Sequence, residues 1–162
     1  MPTVPAALLL LATEASEGGG DPRIAPQDGI IDNLYVSPAF HRTLGLTVVV
    51  LLLATSAWLV ALGVRRRGLD LPGRLLLVGT QVVLMVQVLV GIKLLDQGLG
   101  TAQLYIHYVG GVLPLGGFLA ASWIGWRSDE TRARALAVLT VLGTLSAIGA
   151  YVIGGAYVRG SL

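Results

Sequence analysis

The two histidines of the chain, His41 and His107, are the residues with the most specific chemistry. Each is followed four residues later by a glycine, Gly45 and Gly111, in the sequences HRTLG and HYVGG. Residues i and i+4 of a helix share a face, so each imidazole has a small neighbour where a flat ligand can approach. A neutral imidazole binds a metal through one ring nitrogen, while the other needs an acceptor that fixes its tautomer. The spacing therefore predicts a ligand site with paired histidines.

Long uncharged runs determine where these histidines lie. The chain of 162 residues is 54% hydrophobic and 12% charged, whereas a soluble domain typically has about 25% charged residues. Runs of about 20 apolar residues cross the roughly 30 Å core of a bilayer. Four runs have this character, at about 43–64, 75–92, 104–126 and 135–158. We therefore predict an all-α integral membrane protein whose four spans, joined by short loops, form an antiparallel four-helix bundle.

The residues ahead of the first span are predicted to form an extracytoplasmic arm, 1–37, followed by the transmembrane domain, 38–162. The arm contains a short apolar segment, VPAALLLLA (Val4–Ala12), that is too short to cross a membrane and lacks the basic region of a secretory signal. We interpret it as an interfacial or packed helix. The chain has no cysteine, which excludes disulfides, thiolate metal sites and c-type heme attachment.

Basic residues predict the orientation of the bundle. The loops after spans one and three contain seven arginines, whereas the other side has four basic residues among six acidic ones. The positive-inside rule places the arginine-rich loops in the cytoplasm and both termini outside the inner (plasma) membrane. The pI of about 9.3 is explained by this distribution, so nucleic acid is not predicted as a partner.

Both histidines are predicted to lie near the outer membrane surface, because spans one and three run in the same direction. After each histidine come an apolar run, a tryptophan, an arginine-bearing loop and a second span that ends near glycine, which indicates a weak repeat of helix pairs. Repeats related by an axis along the membrane normal bring His41 and His107 face to face across the bundle. Two facing imidazoles beside small residues predict a six-coordinate heme with these histidines as metal ligands.

Two further polar residues are candidates for this site. Arg42, next to His41 at the membrane surface, can pair with a heme propionate. Gln87 is a polar side chain inside a predicted span. Placing a polar group inside a membrane costs free energy, so a residue of this kind is a candidate for function. Its amide can hydrogen-bond a propionate, a histidine or another helix, and the sequence leaves these alternatives open.

Small residues at helical spacing line one face of span three and one face of span four. Such faces let helices approach closely in a membrane. The residues are His107, Gly110, Gly111, Pro114, Gly117 and Ala121 in span three, and Gly143, Ala147, Ala150 and Gly154 in span four.

The stretches FHRTLGLTVVVLLLA, QVVLMVQVLVGIKLLDQG and IHYVGGVLPLGGFLAASW together resemble one half of the heme A synthase family, from His41 to Trp126. In that family a His-Arg pair opens one span, a span with Gln and Gly follows, and a second histidine opens the third span. The family is built from four-helix halves that each hold a heme between two histidines. The resemblance implies that His41 and His107 are the axial ligands of a heme b, and half-size family members that dimerise imply a homodimer.

The chain also departs from this family. Its active half uses a carboxylate in the first span and often a cysteine pair in an outer loop, and this chain has no cysteine and no acidic residue inside a predicted span. The resemblance therefore implies a heme-binding relative, and oxidation of a heme methyl group is not expected.

Two functions follow from these observations. One is a heme b-binding membrane protein that serves respiration by electron transfer or oxidase assembly, together with a larger respiratory complex or a second copy. The other is a cofactor-free accessory subunit of a larger respiratory or photosynthetic complex, with the small-residue faces and the N-terminal arm as docking surfaces. A transporter is disfavoured because no ionisable residue is predicted at mid-membrane.

Overall fold

The computed structural model describes residues 34–99 and 105–159. The chain divides into two units, Met1–Tyr35 and Val36–Leu162, and only Leu34 and Tyr35 of the first are described. The predicted arm, including its apolar segment, lies outside the described residues as far as position 33.

The described part of the second unit contains four helices: α1 (Pro38–Val64), α2 (Leu71–Asp96), α3 (Tyr105–Trp123) and α4 (Asp129–Val158). Three of them begin at polar N-caps, which satisfy backbone N–H groups that have no partner in the first turn. The side chain of Ser37 accepts from Phe40 N at 3.2 Å, that of Asp70 from Gly73 N at 2.9 Å and that of Ser128 from Thr131 N at 3.1 Å. These helices start earlier than the predicted spans because hydropathy alone does not register the capped first turns.

Helix α3 is shorter than the predicted span 104–126. It ends at Trp123, and the indole Nε1–H of Trp126 donates to the carbonyl of Ala121 at 3.0 Å. This bond satisfies a carbonyl of the last helical turn, so the apolar residues after Trp123 close the helix end and do not extend it.

Among the described residues, α1, α2 and α4 are long and apolar enough to cross a membrane, and α3 is not one of these three. Helix α3 has 19 residues and contains Pro114 and four glycines. Large apolar side chains lie exposed on the helix surfaces, for example Val64 at 79% and Ile106 at 65%. The chain is therefore all-helical in its described part, with three candidate membrane spans.

Helix α1 packs against α2 and α4, α3 packs against α4, and the contact between α2 and α3 is the smallest. Leu52, Leu59, Leu84 and Phe118 are among the fully buried side chains. This contact pattern leaves α1 and α3 on opposite sides of the helical core.

Two buried pairs of hydroxyl groups join the helices at the centre of this core. The hydroxyls of Thr55 and Thr80 are 2.8 Å apart and link α1 to α2. The hydroxyls of Ser56 and Thr144 are 2.9 Å apart and link α1 to α4. Hydrogen bonds of this kind hold helices together where the surrounding lipid gives little hydrophobic driving force.

The small residues of α3 and α4 form a close interface, as their spacing predicts. A Cβ added to Gly143 would lie 3.3 Å from the ring of Pro114, and one added to Gly110 would lie 3.2 Å from the carbonyl oxygen of Ser146. The hydroxyl of Ser146 donates to the carbonyl of Gly110 at 3.0 Å. Gly111 is outside this interface, because a Cβ there would meet nothing within 4 Å.

Candidate paired-histidine site

The imidazole rings of His41 and His107 are half-buried and lie next to one another. Their centroids are 6.3 Å apart and their planes are inclined by 66°. His41 is in the first turns of α1 and His107 is in the first turn of α3. The structure therefore brings together the two residues that the sequence selected, from helices that do not pack directly on one another.

The ring of His107 is held by α4. Its Nδ1 lies 2.9 Å from the carbonyl oxygen of Ala150, which makes Nδ1 the protonated nitrogen and leaves Nε2 with the lone pair. A Cβ added to Gly154 would lie 2.9 Å from Cε1 and 3.0 Å from Nδ1 of this ring. Only glycine at position 154 lets the imidazole lie against α4 at this distance.

The ring of His41 is held by α2. The side-chain nitrogen of Gln87 lies 3.3 Å from Nε2 of His41, and a Cβ added to Gly91 would lie 3.3 Å from Cε1. The two histidines therefore have equivalent surroundings. Each packs against a glycine near the C-terminal end of the next helix, and each has one ring nitrogen beside a polar partner.

Two buried polar atoms at His41 have no hydrogen-bond partner: Nδ1 of His41 and Oε1 of Gln87. Leaving such an atom unpaired in a dry interior costs about 1–3 kcal/mol. Turning the Gln87 amide over would let Oε1 accept from a protonated Nε2, and Nδ1 would then carry the lone pair. In this arrangement each histidine has one nitrogen with a hydrogen-bond acceptor and one nitrogen available to a metal.

The distance between the two ring centres matches that of two imidazoles bound to one metal atom. With metal–nitrogen bonds of about 2.0 Å and about 1.1 Å from nitrogen to ring centre, two imidazoles on opposite sides of a metal have centroids about 6.2 Å apart. The observed distance is 6.3 Å. The described residues contain no cluster of three or more His, Cys, Asp or Glu side chains, so they offer a metal ion two protein ligands here.

The other predicted site residues lie at different distances from the pair. Gly45 adjoins it, because a Cβ there would lie 3.2 Å from the amide nitrogen of Gln87 and 3.5 Å from the ring of Tyr151. Gly111 faces open space. Arg42 is exposed in the first turns of α1 and, within the described ranges, forms no hydrogen bond or ion pair with the histidines.

The carbonyl of Ala150 was not predicted as a group of this site. A backbone acceptor has no residue-type signal, so only the fold could reveal it. The rings contact two glycines, Gly91 and Gly154. The helix-pair repeat predicts a glycine near the end of the second helix of each pair, but no feature of the sequence predicts that these glycines contact the histidines.

Comparisons with known proteins identify no relative of this chain. A scan against protein-family models finds no match, a search of curated proteins finds none, and a search of solved structures finds none either. The resemblance to the heme A synthase family therefore stays a prediction based on the quoted motifs.

Proposed function

We propose that this chain is a heme b-binding membrane protein in which His41 and His107 would hold the heme iron. One observation carries this proposal: two imidazoles lie 6.3 Å apart, and the described residues place no third His, Cys, Asp or Glu with them in a metal-binding group. A metal that brings four equatorial ligands of its own, as iron in a porphyrin does, needs only these two. A bare metal ion would need more ligands from the protein.

The residues around the pair have supporting roles. The carbonyl of Ala150 fixes the tautomer and orientation of His107, and the Gln87 amide does the same for His41. Held by His41 and His107, a heme would supply one-electron redox chemistry. We infer a role in respiration by electron transfer or oxidase assembly, in contact with a larger respiratory complex or a second copy of the chain.

We also propose that all four helices, including the shorter α3, cross the inner (plasma) membrane in antiparallel order, with both termini outside and the paired histidines near the outer face. The arginine-rich loops after α1 and α3 support this orientation. The chain has no cysteine, so single cysteines can report it. In intact cells a membrane-impermeant maleimide should label Leu34→Cys but not Gly125→Cys. The reverse pattern would contradict the orientation.

The alternative function is a cofactor-free accessory subunit. The outward face of α3 favours it, because Val109, Val112 and Leu113 are exposed and line a shallow apolar groove with Gly116. Such a face fits a neighbouring transmembrane helix. An accessory subunit would fold and assemble without heme, whereas the leading proposal requires the paired histidines to bind it.

Absorption spectroscopy of the purified protein tests the leading proposal. Protein supplied with heme should show a reduced-minus-oxidised spectrum with the sharp α band of a bis-histidine heme b. His41→Ala and His107→Ala should each lose this band. Ile106→Ala is a matched control, because Ile106 is next to His107 but 65% exposed, and it should keep the band.

Chemical rescue makes the test specific for ligation. In His107→Gly, added imidazole should restore the low-spin spectrum by occupying the space of the lost ring. A folded, helical wild-type protein that shows no spectral change with heme would overturn the proposal and favour the accessory-subunit alternative.

A further inference from the structure

A second apolar groove lies at the opposite end of the helices from the histidines. It runs between the last turns of α1 and the first half of α4 and has a volume of about 440 Å³. Its walls are almost entirely aliphatic. They are formed by Val60, Gly63, Val64, Ala137, Val138, Val141 and Leu142, and the side chain of Arg134 also lines the groove.

The end of the helices that carries Arg134 is strongly basic. Residues 65–74 and 127–134 contain seven arginines and three carboxylates, which gives a formal charge of +4. The arginines are Arg65, Arg66, Arg67, Arg74, Arg127, Arg132 and Arg134. All of these except the half-buried Arg132 are exposed. A guanidinium presents a fork of N–H donors that matches a phosphate group.

The two loops that carry these charges lie against one another. A Cβ added to Gly68, between α1 and α2, would lie 2.9 Å from Cβ of Asp129 at the start of α4. One added to Gly63 would lie 3.6 Å from Cγ of Arg134. Arg65 to Arg67 directly follow the groove residue Val64. The seven arginines therefore lie at the same end of the helices as the groove.

Exposed aromatic residues support a position of this end at the depth of lipid headgroups. Trp123 is 89% exposed at the end of α3, and the indole of Trp58 donates to Asp70 at 3.0 Å. Exposed tryptophans are enriched at the boundary between hydrocarbon and water. A groove that starts at this depth and continues along apolar helix faces is accessible from the lipid.

We propose that this groove binds an anionic phospholipid, with one acyl chain along the aliphatic walls and the phosphate on Arg134. Basic sites between transmembrane helices recognise such headgroups. Glu130 forms an ion pair with Nη2 of Arg134, and the guanidinium has further N–H groups that can donate to a phosphate. The proposal depends on the membrane location of the chain and is independent of heme.

Lipid exchange on the purified protein tests this site. Native mass spectrometry in detergent should show preferential retention of dioleoylphosphatidylglycerol over dioleoylphosphatidylcholine. Arg134→Gln should weaken the preference about fivefold, the effect expected of one arginine near a lipid surface. Arg159→Gln, at the other end of α4, is the matched control and should leave the preference unchanged.

A second pair of variants tests the groove. Val138→Trp fills it, because Val138 lines the groove and is 62% exposed, and should abolish the preference. Val152→Trp is the control on the same helix, since Val152 is 56% exposed and does not line the groove. Glycerol 3-phosphate, which has the headgroup phosphate but no chain, should not displace the lipid.

Three results would overturn the proposal: equal retention of both lipids, a preference that survives Arg134→Gln and Val138→Trp together, or displacement by glycerol 3-phosphate at equal concentration. Extraction of the membranes with alkaline carbonate separates this failure from a wrong membrane assignment. If the protein stays in the membrane pellet but shows no lipid preference, the membrane location holds and only the proposed lipid site is contradicted.

Discussion

Gly154 and His107 are in contact so close that a methyl group at position 154 would lie 2.9 Å from Cε1 of the imidazole. The same ring donates from Nδ1 to Ala150, one turn earlier on α4. The position and orientation of His107 therefore depend on two features of α4: the absence of a side chain at Gly154 and the backbone carbonyl of Ala150. His41 has the corresponding pair of neighbours on α2, Gly91 and Gln87.

Gly154→Ala should destabilise the protein by about 1–3 kcal/mol, because the added methyl group forces the ring of His107 away from its acceptor. Gly149→Ala on the same helix is the control, since a Cβ there meets nothing within 4 Å. It should be neutral or stabilising by about 0.5–1 kcal/mol, the usual gain from removing a helical glycine. Thermal unfolding in detergent measures both variants. Equal effects would show that the contact with His107 carries no energy.

Gln87→Leu should weaken heme binding about 10–100-fold, because the ligand His41 loses the amide that orients it. Gln81→Leu removes an amide six residues earlier on the same helix, whereas the hydrogen-bond partner of His41 is Gln87, and it should have little effect. Heme titration followed by absorption measures the affinities. If both variants bind equally well, Gln87 is a helix-packing residue only.

The hydroxyl pair of Thr55 and Thr80 should couple energetically. Thr55→Val leaves the buried hydroxyl of Thr80 without its interhelical partner, and the single variant should lose about 1 kcal/mol. The double variant with Thr80→Val should lose less than the sum of the two single variants, with a coupling energy of about 0.6–1.7 kcal/mol. Unfolding free energies of all four proteins give this value, and strict additivity would contradict it.

The hydrogen bond between Trp58 and Asp70 should titrate at low pH. The indole N–H of Trp58 lowers the pKa of the Asp70 carboxyl, helped by the backbone N–H of Gly73 and the charge of Arg67. The folded pKa is below the unfolded one, so the stabilising contribution is present above the ordinary range of aspartate. It is lost as the pH falls through the lowered pKa.

Tryptophan emission can follow this titration. The difference in emission between the wild type and Trp58→Phe should change with a midpoint below the ordinary aspartate pKa of about 3.9. Asp70→Asn keeps a capping side chain for α2 but cannot ionise, and it should remove the pH dependence. A midpoint at or above the ordinary value would show that the indole does not stabilise the carboxylate.

The helical content, the presence of apolar helices long enough to cross a membrane and the proximity of His41 and His107 could be predicted from the sequence. These properties depend on local composition and spacing: uncharged runs of bilayer length, and a histidine followed four residues later by glycine. The small faces of α3 and α4 were predictable for the same reason, and Pro114 indeed packs against Gly143. Helix ends were less accurate, because the N-caps Ser37 and Ser128 and the Trp126 bond involve polar groups that hydropathy does not weigh.

Only the tertiary structure decided which groups surround each histidine. Gly45 and Gly111 have the same spacing from their histidines, yet Gly45 contacts the amide of Gln87 and Gly111 faces open space. The difference arises because a neighbouring helix covers one position and not the other. The Ala150 carbonyl is a site group for the same reason, since its role depends on how α4 packs against α3. Residue types and spacing thus selected His41 and His107 as candidate ligands, and helix packing decided which neighbours hold their rings in place.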